Sequence, residues 1–265
     1  MSYAEILYET RGPVARITLN KPDKRNPIGP VTIGELLHAI DAAKRDDAVR
    51  VLVITGAGKV FSAGGDLSSF LEKKGARPLE AMAGPLSIPG TYVDLNLALA
   101  RLGKPSIAMV NGHALAGGLG LVVACQVAIA AEDAQLGTPE INVGLWPMMI
   151  MSTIFRNVPR KQGLELILTG DRISAAQAEK IGLITRAVPR EKLETEVDAL
   201  AEKLAQKSPL IMKMGLAAFD ALQDRDLEAN LRALEARLAE VIATEDAREG
   251  LSAFLEKRPP AWKGR

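Results

Sequence analysis

Cysteine is almost missing: Cys125 is the single thiol in 265 residues. One thiol closes no internal disulfide, so the chain suits a reducing compartment and must stand on its core alone. The apolar setting Leu121-Val-Val-Ala-Cys-Gln-Val reads as a buried, inert thiol. Histidine is scarce too, with only His38 and His113. No Cys/His cluster has metal spacing, so no metal site is expected. A Ser-His-Asp triad has no nucleophile signature to support it, because no G-x-S-x-G turn occurs. The phosphate loop G-x-x-x-x-G-K-S/T is absent as well.

Charge of one sign is also lacking. The 33 basic and 32 acidic residues leave a net charge of +1. That balance gives no electrostatic case for nucleic acid or an anionic membrane. No run of about 18 apolar residues occurs, so no membrane-spanning helix is expected. The opening Met1-Ser-Tyr-Ala-Glu-Ile carries no basic region followed by an apolar run. No secretory signal is expected from it, and the cytoplasm is the expected location.

What remains is an ordinary globular composition, 48% hydrophobic and 25% charged. The length allows one large α/β domain with a sizeable core. Val14 to Leu19 alternates and pairs with Glu5–Glu9 through Gly12-Pro13, which predicts a β-hairpin. Three prolines between Lys21 and Pro30 predict a loop. Ile33, Leu36, Leu37 and Ile40 share one face of a helix over 32–44, with His38 on its polar side. Val49–Ile54, Pro105–Val110 and Val127–Ala131 read as buried strands. Val93–Arg101 reads as a helix, and 68–90 as an irregular excursion over a site.

Past Ser174 the pattern is helical. Ser174 with Gln177 forms a capping box, and Gly182 can end that helix. Leu193, Val197, Leu200 and Leu204 line a second helix. Ser208-Pro209 opens a third, 226–242 a longer one, and Glu249–Lys257 a last one before Pro259-Pro260. This gives a β/α core over 1–190 and a helical region over 191–265. Trp146 and the Met148–Met151 run read as core or interface.

Two glycine-rich turns each follow a buried strand. The first, Gly56-Ala-Gly58-Lys-Val-Phe61, fails as a dinucleotide fingerprint, because Phe61 stands where the third glycine belongs. It continues into Phe61-Ser-Ala-Gly-Gly-Asp-Leu67. The second is Asn111-Gly-His-Ala-Leu-Ala-Gly-Gly-Leu-Gly120. They read either as unrelated tight turns or as a pair whose N–H groups converge on one oxygen. A helix starting near Gly117 would add its positive dipole end.

Those two segments resemble the first and second signatures of the enoyl-CoA hydratase/isomerase (crotonase) family. Thr138-Pro-Glu-Ile-Asn-Val-Gly-Leu is similar to the third. Glu249-Gly-Leu-Ser-Ala-Phe-Leu-Glu-Lys-Arg is similar to the family's C-terminal helix. The set runs nearly end to end, in family order and spacing.

The resemblance implies an α/β fold, a crotonase-like spiral of repeated β-β-α units with a C-terminal helical trimerisation region. It implies an acyl-CoA substrate, no permanently bound cofactor, and a homotrimer or homohexamer. The oxyanion hole maps to Gly65 and Gly117. CoA maps to Lys24, Arg25, Ala63, Gly65, Asp66 and Leu67, with Phe254 and Lys257 bordering the CoA of a neighbouring subunit. Asp66 is expected to organise its turn.

The third-signature glutamate maps to Glu140, among apolar Ile141, Val143, Leu145 and Trp146, where burial would raise its pKa. The family hydratases' other glutamate maps to Gly120, which has no side chain. One base suffices to move a double bond from the 3,4 to the 2,3 position, whereas hydration divides its labour between two acids. The expectation is therefore a Δ3,Δ2-enoyl-CoA isomerase. The alternatives are a hydratase or other lyase or hydrolase with a relocated acid (Glu72, Glu80, Asp94 or His113), and a non-catalytic CoA-binding protein.

Overall fold

Strands β1 (Ile6–Arg11) and β2 (Val14–Leu19) form the expected hairpin across Gly12-Pro13. The protein's structure is a computed structural model, and it describes residues 3–66, 90–222, 238 and 240–265. Most of the expected excursion (68–89) and most of the helix expected over 226–242 lie outside those residues.

The hairpin opens a six-stranded sheet in the order β1-β2-β4-β7-β9-β12, parallel from β2 onward. Its inner strands are β4 (Val51–Gly56), β7 (Ser106–Val110) and β9 (Val127–Ala131), closed by β12 (Arg186–Val188). These inner strands are buried on both faces, which is why they read as apolar runs. Leu52, Ile54, Ala108, Val110, Ala128 and Ala130 face one core. Val51, Val53, Ile107, Met109, Ile129 and Ala131 face the other.

Each inner strand leads into a short strand of a second sheet. That sheet has the order β11-β10-β8-β5. Here β5 is Val60–Ser62, β8 is His113–Leu115, β10 is Gln135–Gly137 and β11 is Arg172–Ser174. A two-strand ladder joins β3 (Pro27–Ile28) to β6 (Gly64–Gly65). The chain thus repeats strand, strand, helix, and the larger core lies between the sheets and their helices.

Helix α1 (Pro30–Arg45) begins two residues before the expected start, with Pro30 at a helix-opening position. Ile33, Leu36, Leu37 and Ile40 are buried as their spacing predicts. His38 departs from expectation: it is half-buried, and its Nδ1 lies 2.8 Å from the Tyr3 hydroxyl in a hydrogen bond. Helix α2 (Tyr92–Ala100) is capped by Thr91 and Asp94, each accepting the other's backbone N–H. Helix α3 (Gly117–Ala124) starts where expected.

Helices α4 (Met148–Asn157) and α5 (Arg160–Thr169) form a pair that the sequence pattern did not single out. Helix α6 (Ala175–Lys180) carries the Ser174–Gln177 capping box. Helix α7 (Leu193–Ala205) lays Leu193, Val197 and Ala201 on the outer face of the large sheet. Burying each larger side chain there contributes about 1.5–3 kcal/mol. Arg16 of β2 clamps α7 to the sheet through Glu194 and Asp198, both at 2.8 Å. Helix α8 (Pro209–Leu222) and α9 (Glu245–Leu255) follow and pack on one another.

Candidate active site

The first glycine turn is tied down by a residue the motif did not include. Asn26 is 1% exposed at a left-handed φ of 52°, a conformation asparagine tolerates better than most residues. Its side-chain amide donates to Ala57 O at 2.9 Å and Val60 O at 2.8 Å. Its side-chain oxygen accepts from Lys21 N, and its backbone carbonyl accepts from the Ser62 hydroxyl at 2.7 Å. Arg25 O accepts from Ala63 N at 2.9 Å. The 22–26 loop and the 57–65 turn therefore form one unit. Within it Lys24 and Arg25 are exposed, and Ala63, Gly65 and Asp66 are half-buried. Asp66 lies beside Gly29, the N-cap of α1. Leu67 lies outside the described residues.

The second turn ends on a strained residue. Ala116, the N-cap of α3, has φ 49° and ψ −127°, a region L-residues rarely adopt. At this bend Gly117 N lies against the first turn, 3.3 Å from where a Cβ on Gly64 would sit. A Cβ built on Gly117 would lie 3.5 Å from Gly65 N, so the two amide nitrogens border one small space. The space sits where β8 passes into α3, beside β6.

Glu140 lies in a 3-10 turn, Pro139–Val143, which follows β10. Its carboxylate is half-buried, and Oε2 has no hydrogen-bond partner among the described residues. Burial raises its pKa above the ordinary value, with its own backbone N–H pulling partly the other way. The expected apolar shell is not what buries it. Ile141, Val143 and Leu145 are 37%, 59% and 46% exposed, because the turn throws them outward. Trp146 is half-buried and donates its indole N–H to Met151 Sδ.

Tyr92 occupies the room beside Gly120. A Cβ at position 120 would strike the Tyr92 hydroxyl oxygen and come within 2.9 Å of Ile150 Cγ1. Sequence reading missed Tyr92. The Thr91–Asp94 capping box, had it been read, would have placed it in the first turn of a helix.

Asp94 and His113 have hydrogen-bond partners of their own. Asp94 is committed to its cap, its Oδ2 accepting from Thr91 N at 2.7 Å and Thr91 Oγ1 at 2.9 Å. His113 Nδ1 accepts from Gln135 N at 3.1 Å and holds β8 to β10. Glu72 and Glu80 lie outside the described residues. Lys257 is exposed just past α9, and Phe254 falls in α9 with its side chain outside the described set. Cys125 is buried as expected, and its thiol pKa is pushed up to about 12 by burial.

A spiral of strand-strand-helix units in which two glycine turns meet, with a half-buried glutamate of raised pKa on the turn after β10, defines a crotonase-type acyl-CoA enzyme. The chain belongs to the enoyl-CoA hydratase/isomerase family, whose model matches residues 9–265. The 2,3-dehydroadipyl-CoA hydratase of Escherichia coli K12 is 34% identical, over 99% of this chain and 100% of that protein. Enoyl-CoA hydratase domain-containing protein 3, mitochondrial, of Danio rerio is also 34% identical, over 97% of this chain and 86% of that one. The crystal structure of an enoyl-CoA hydratase from Bacillus anthracis superposes with a TM-score of 0.91 at 32% identity, over 99% and 100% of the two chains. No helix among the described residues is long and apolar enough to cross a membrane.

Proposed function

We propose that the protein isomerises 3-enoyl-CoA thioesters to 2-enoyl-CoA thioesters, with Glu140 as the single base. The thioester oxygen is held by Gly65 N–H and Gly117 N–H. Glu140 takes a proton from the α-carbon, and negative charge spreads over a dienolate onto that oxygen. The same carboxyl returns the proton to the γ-carbon, so the double bond moves and no water is consumed. Preorganised amide donors serve this well, and losing one typically costs about 3–4 kcal/mol of transition-state stabilisation. Ala63, Asp66 and the exposed Lys24 and Arg25 are the CoA-facing residues in this reading. Lys257 is assigned to the CoA of a neighbouring subunit in a trimer or hexamer.

The observation that carries the reading is the pairing of Glu140 with a closed position 120. Glu140 has a buried carboxylate oxygen without a partner among the described residues, and a raised pKa. Position 120 offers no side chain and has no room for one.

The test is turnover of a 3-enoyl-CoA panel by wild type and Glu140→Gln. Isomerisation lost by about a thousandfold in a folded variant supports Glu140 as the base. Wild-type rates in that variant reject it. The relatives' names favour hydration as the second reading, which needs another acid such as Glu72 or Glu80. Hydration of crotonyl-CoA faster than isomerisation by the wild type would select it. Tight acyl-CoA binding without any turnover would select a non-catalytic binder.

A further inference from the structure

Tyr92 is 2% exposed, yet it reaches the space between the two glycine turns. The Thr91–Asp94 cap fixes where α2 begins. Leu95 and Leu99, one and two turns further on the same face, are fully buried and hold α2 in place between α1 and α3. The phenol is thereby delivered to the first turn of α3. Its hydroxyl donates to Gly117 O at 2.7 Å. Its ring atom Cε2 lies 3.7 Å from the point a Cβ on Gly117 would occupy, and Gly65 N lies 3.5 Å from that same point. The ring edge therefore borders the gap between the two amide nitrogens. On its other side the hydroxyl fills the room next to Gly120, where even a methyl group would collide with it.

A phenylalanine would fill the ring volume without burying a hydroxyl, which costs free energy unless bonded. Here the bond goes to Gly117, whose nitrogen lies against the Gly64-Gly65 turn. Burial, with the Glu140 charge as a lesser cause, also raises the phenol pKa. It stays a neutral donor throughout the working range.

We propose that Tyr92 is the positioning and specificity-determining residue of this site: bonded to Gly117 O and packed over Gly120, it holds the Gly117 N–H toward Gly65 and fills the volume an attacking water would need. This rests on the one-base reading of Glu140. The hydroxyl acts through Gly117, and the ring acts as a wall.

The experiment uses the full chain with Tyr92→Phe, Tyr92→Ala, Gly120→Ala and the double variant Tyr92→Phe/Gly120→Ala. Each is measured for thermal melting, kcat and KM on a 3-enoyl-CoA, hydration of crotonyl-CoA, and α-proton exchange of butyryl-CoA in deuterated water. Tyr92→Phe is expected to fold and to keep KM within about twofold while kcat falls about tenfold. A filler alone would change melting and leave the kcat-to-KM split untouched. Gly120→Ala should fall at least as far, because its methyl displaces the hydroxyl. The double variant should lose less than the two single losses combined, since both changes act on the Tyr92 hydroxyl, while the methyl still meets Ile150 Cγ1 at 2.9 Å. Tyr92→Ala should raise hydration relative to isomerisation by about tenfold or more.

Wild-type kcat in Tyr92→Phe, or additive losses in the double variant, overturns the proposal. If the wild type exchanges the α-proton but does not isomerise, the one-base isomerase reading falls by itself. The exchange rates then decide Tyr92 by the same ordering of variants. A wild type that does neither removes both.

Discussion

Gly64 and Ala116 compete for one small volume. A Cβ on Gly64 would come within 2.6 Å of Ala116 Cβ and 2.9 Å of Leu115 O, and Gly64 itself sits at φ +103°. Ala116 bends the other turn at φ 49°. Two turns far apart in the chain thus interlock through a glycine that cannot be replaced and an alanine held under strain. Their next residues, Gly65 and Gly117, bring their amide nitrogens to the same space as a result.

Gly64→Ala is expected to cost both stability and activity. The new methyl has no open space, and the backbone there disfavours L side chains by about 1–3 kcal/mol. The β3–β6 ladder must shift to admit it, which moves Gly65 N away from Gly117 N. Denaturant unfolding should show the lost stability, and acyl-CoA turnover should fall at least about a hundredfold. A variant with normal turnover would mean that the interlock does not set the spacing of the donors.

Asn26→Ala should destabilise by about 2–4 kcal/mol, because it strands the Ala57 and Val60 carbonyls and the Lys21 amide and removes a side chain suited to a left-handed backbone. Urea unfolding measures it. Asn26→Asp should be worse than its similar shape suggests. It puts a carboxylate against two carbonyl oxygens that now receive an amide's hydrogens. A smaller loss for Asp than for Ala would contradict this account of the loop.

These two residues mark the boundary of what the sequence made legible. Local chemistry was readable: the Ser174–Gln177 capping box, the Gly12-Pro13 hairpin, and the apolar face of α1 each depend on neighbours within a few positions. The doubly buried strands β4, β7 and β9 were readable from their length and branching. Gly65, Gly117 and Glu140 became candidates through the resemblance of their contiguous motifs to a known family. Tyr92 was not, because its meaning lies in contacts with Gly117 and Gly120 on another helix. Asn26 was hidden among the prolines of its loop, and its bonds reach over thirty residues ahead. The pair α4–α5 was lost behind Pro147 and Pro159, which suggest breaks and in fact stand at the helix starts. Strands of three residues, such as β10, β11 and β12, are too short for a period to register.

Cys125 should not react with a thiol reagent in the folded protein. It is 9% exposed, its Sγ–H points to Leu121 O at 3.5 Å, and burial holds its pKa near 12. Almost no thiolate exists at about pH 8. One equivalent of an aromatic disulfide reagent should be consumed only after unfolding in guanidinium. Rapid labelling of the native state would show that the α3 C-terminus opens readily.

Glu140 predicts opposite pH trends for stability and for activity. Its folded pKa lies above the ordinary 4.5 because burial disfavours the charged form. The unfolded chain therefore loses this proton first as pH rises. The stability the group contributes is full below the unfolded value and is lost as pH rises through the folded one. Glu140→Gln cannot ionise, so it should melt above wild type near neutral pH. That gap should close toward about pH 4. Activity runs the other way, since only the carboxylate accepts a proton. Wild-type kcat/KM should fall on the acid side with a midpoint above the ordinary carboxylate range. Melting curves of both proteins across this range, with turnover measured on the same samples, check the pair. A variant no more stable than wild type at neutral pH would show that the unpartnered Oε2 is solvated, and the raised pKa would go with it.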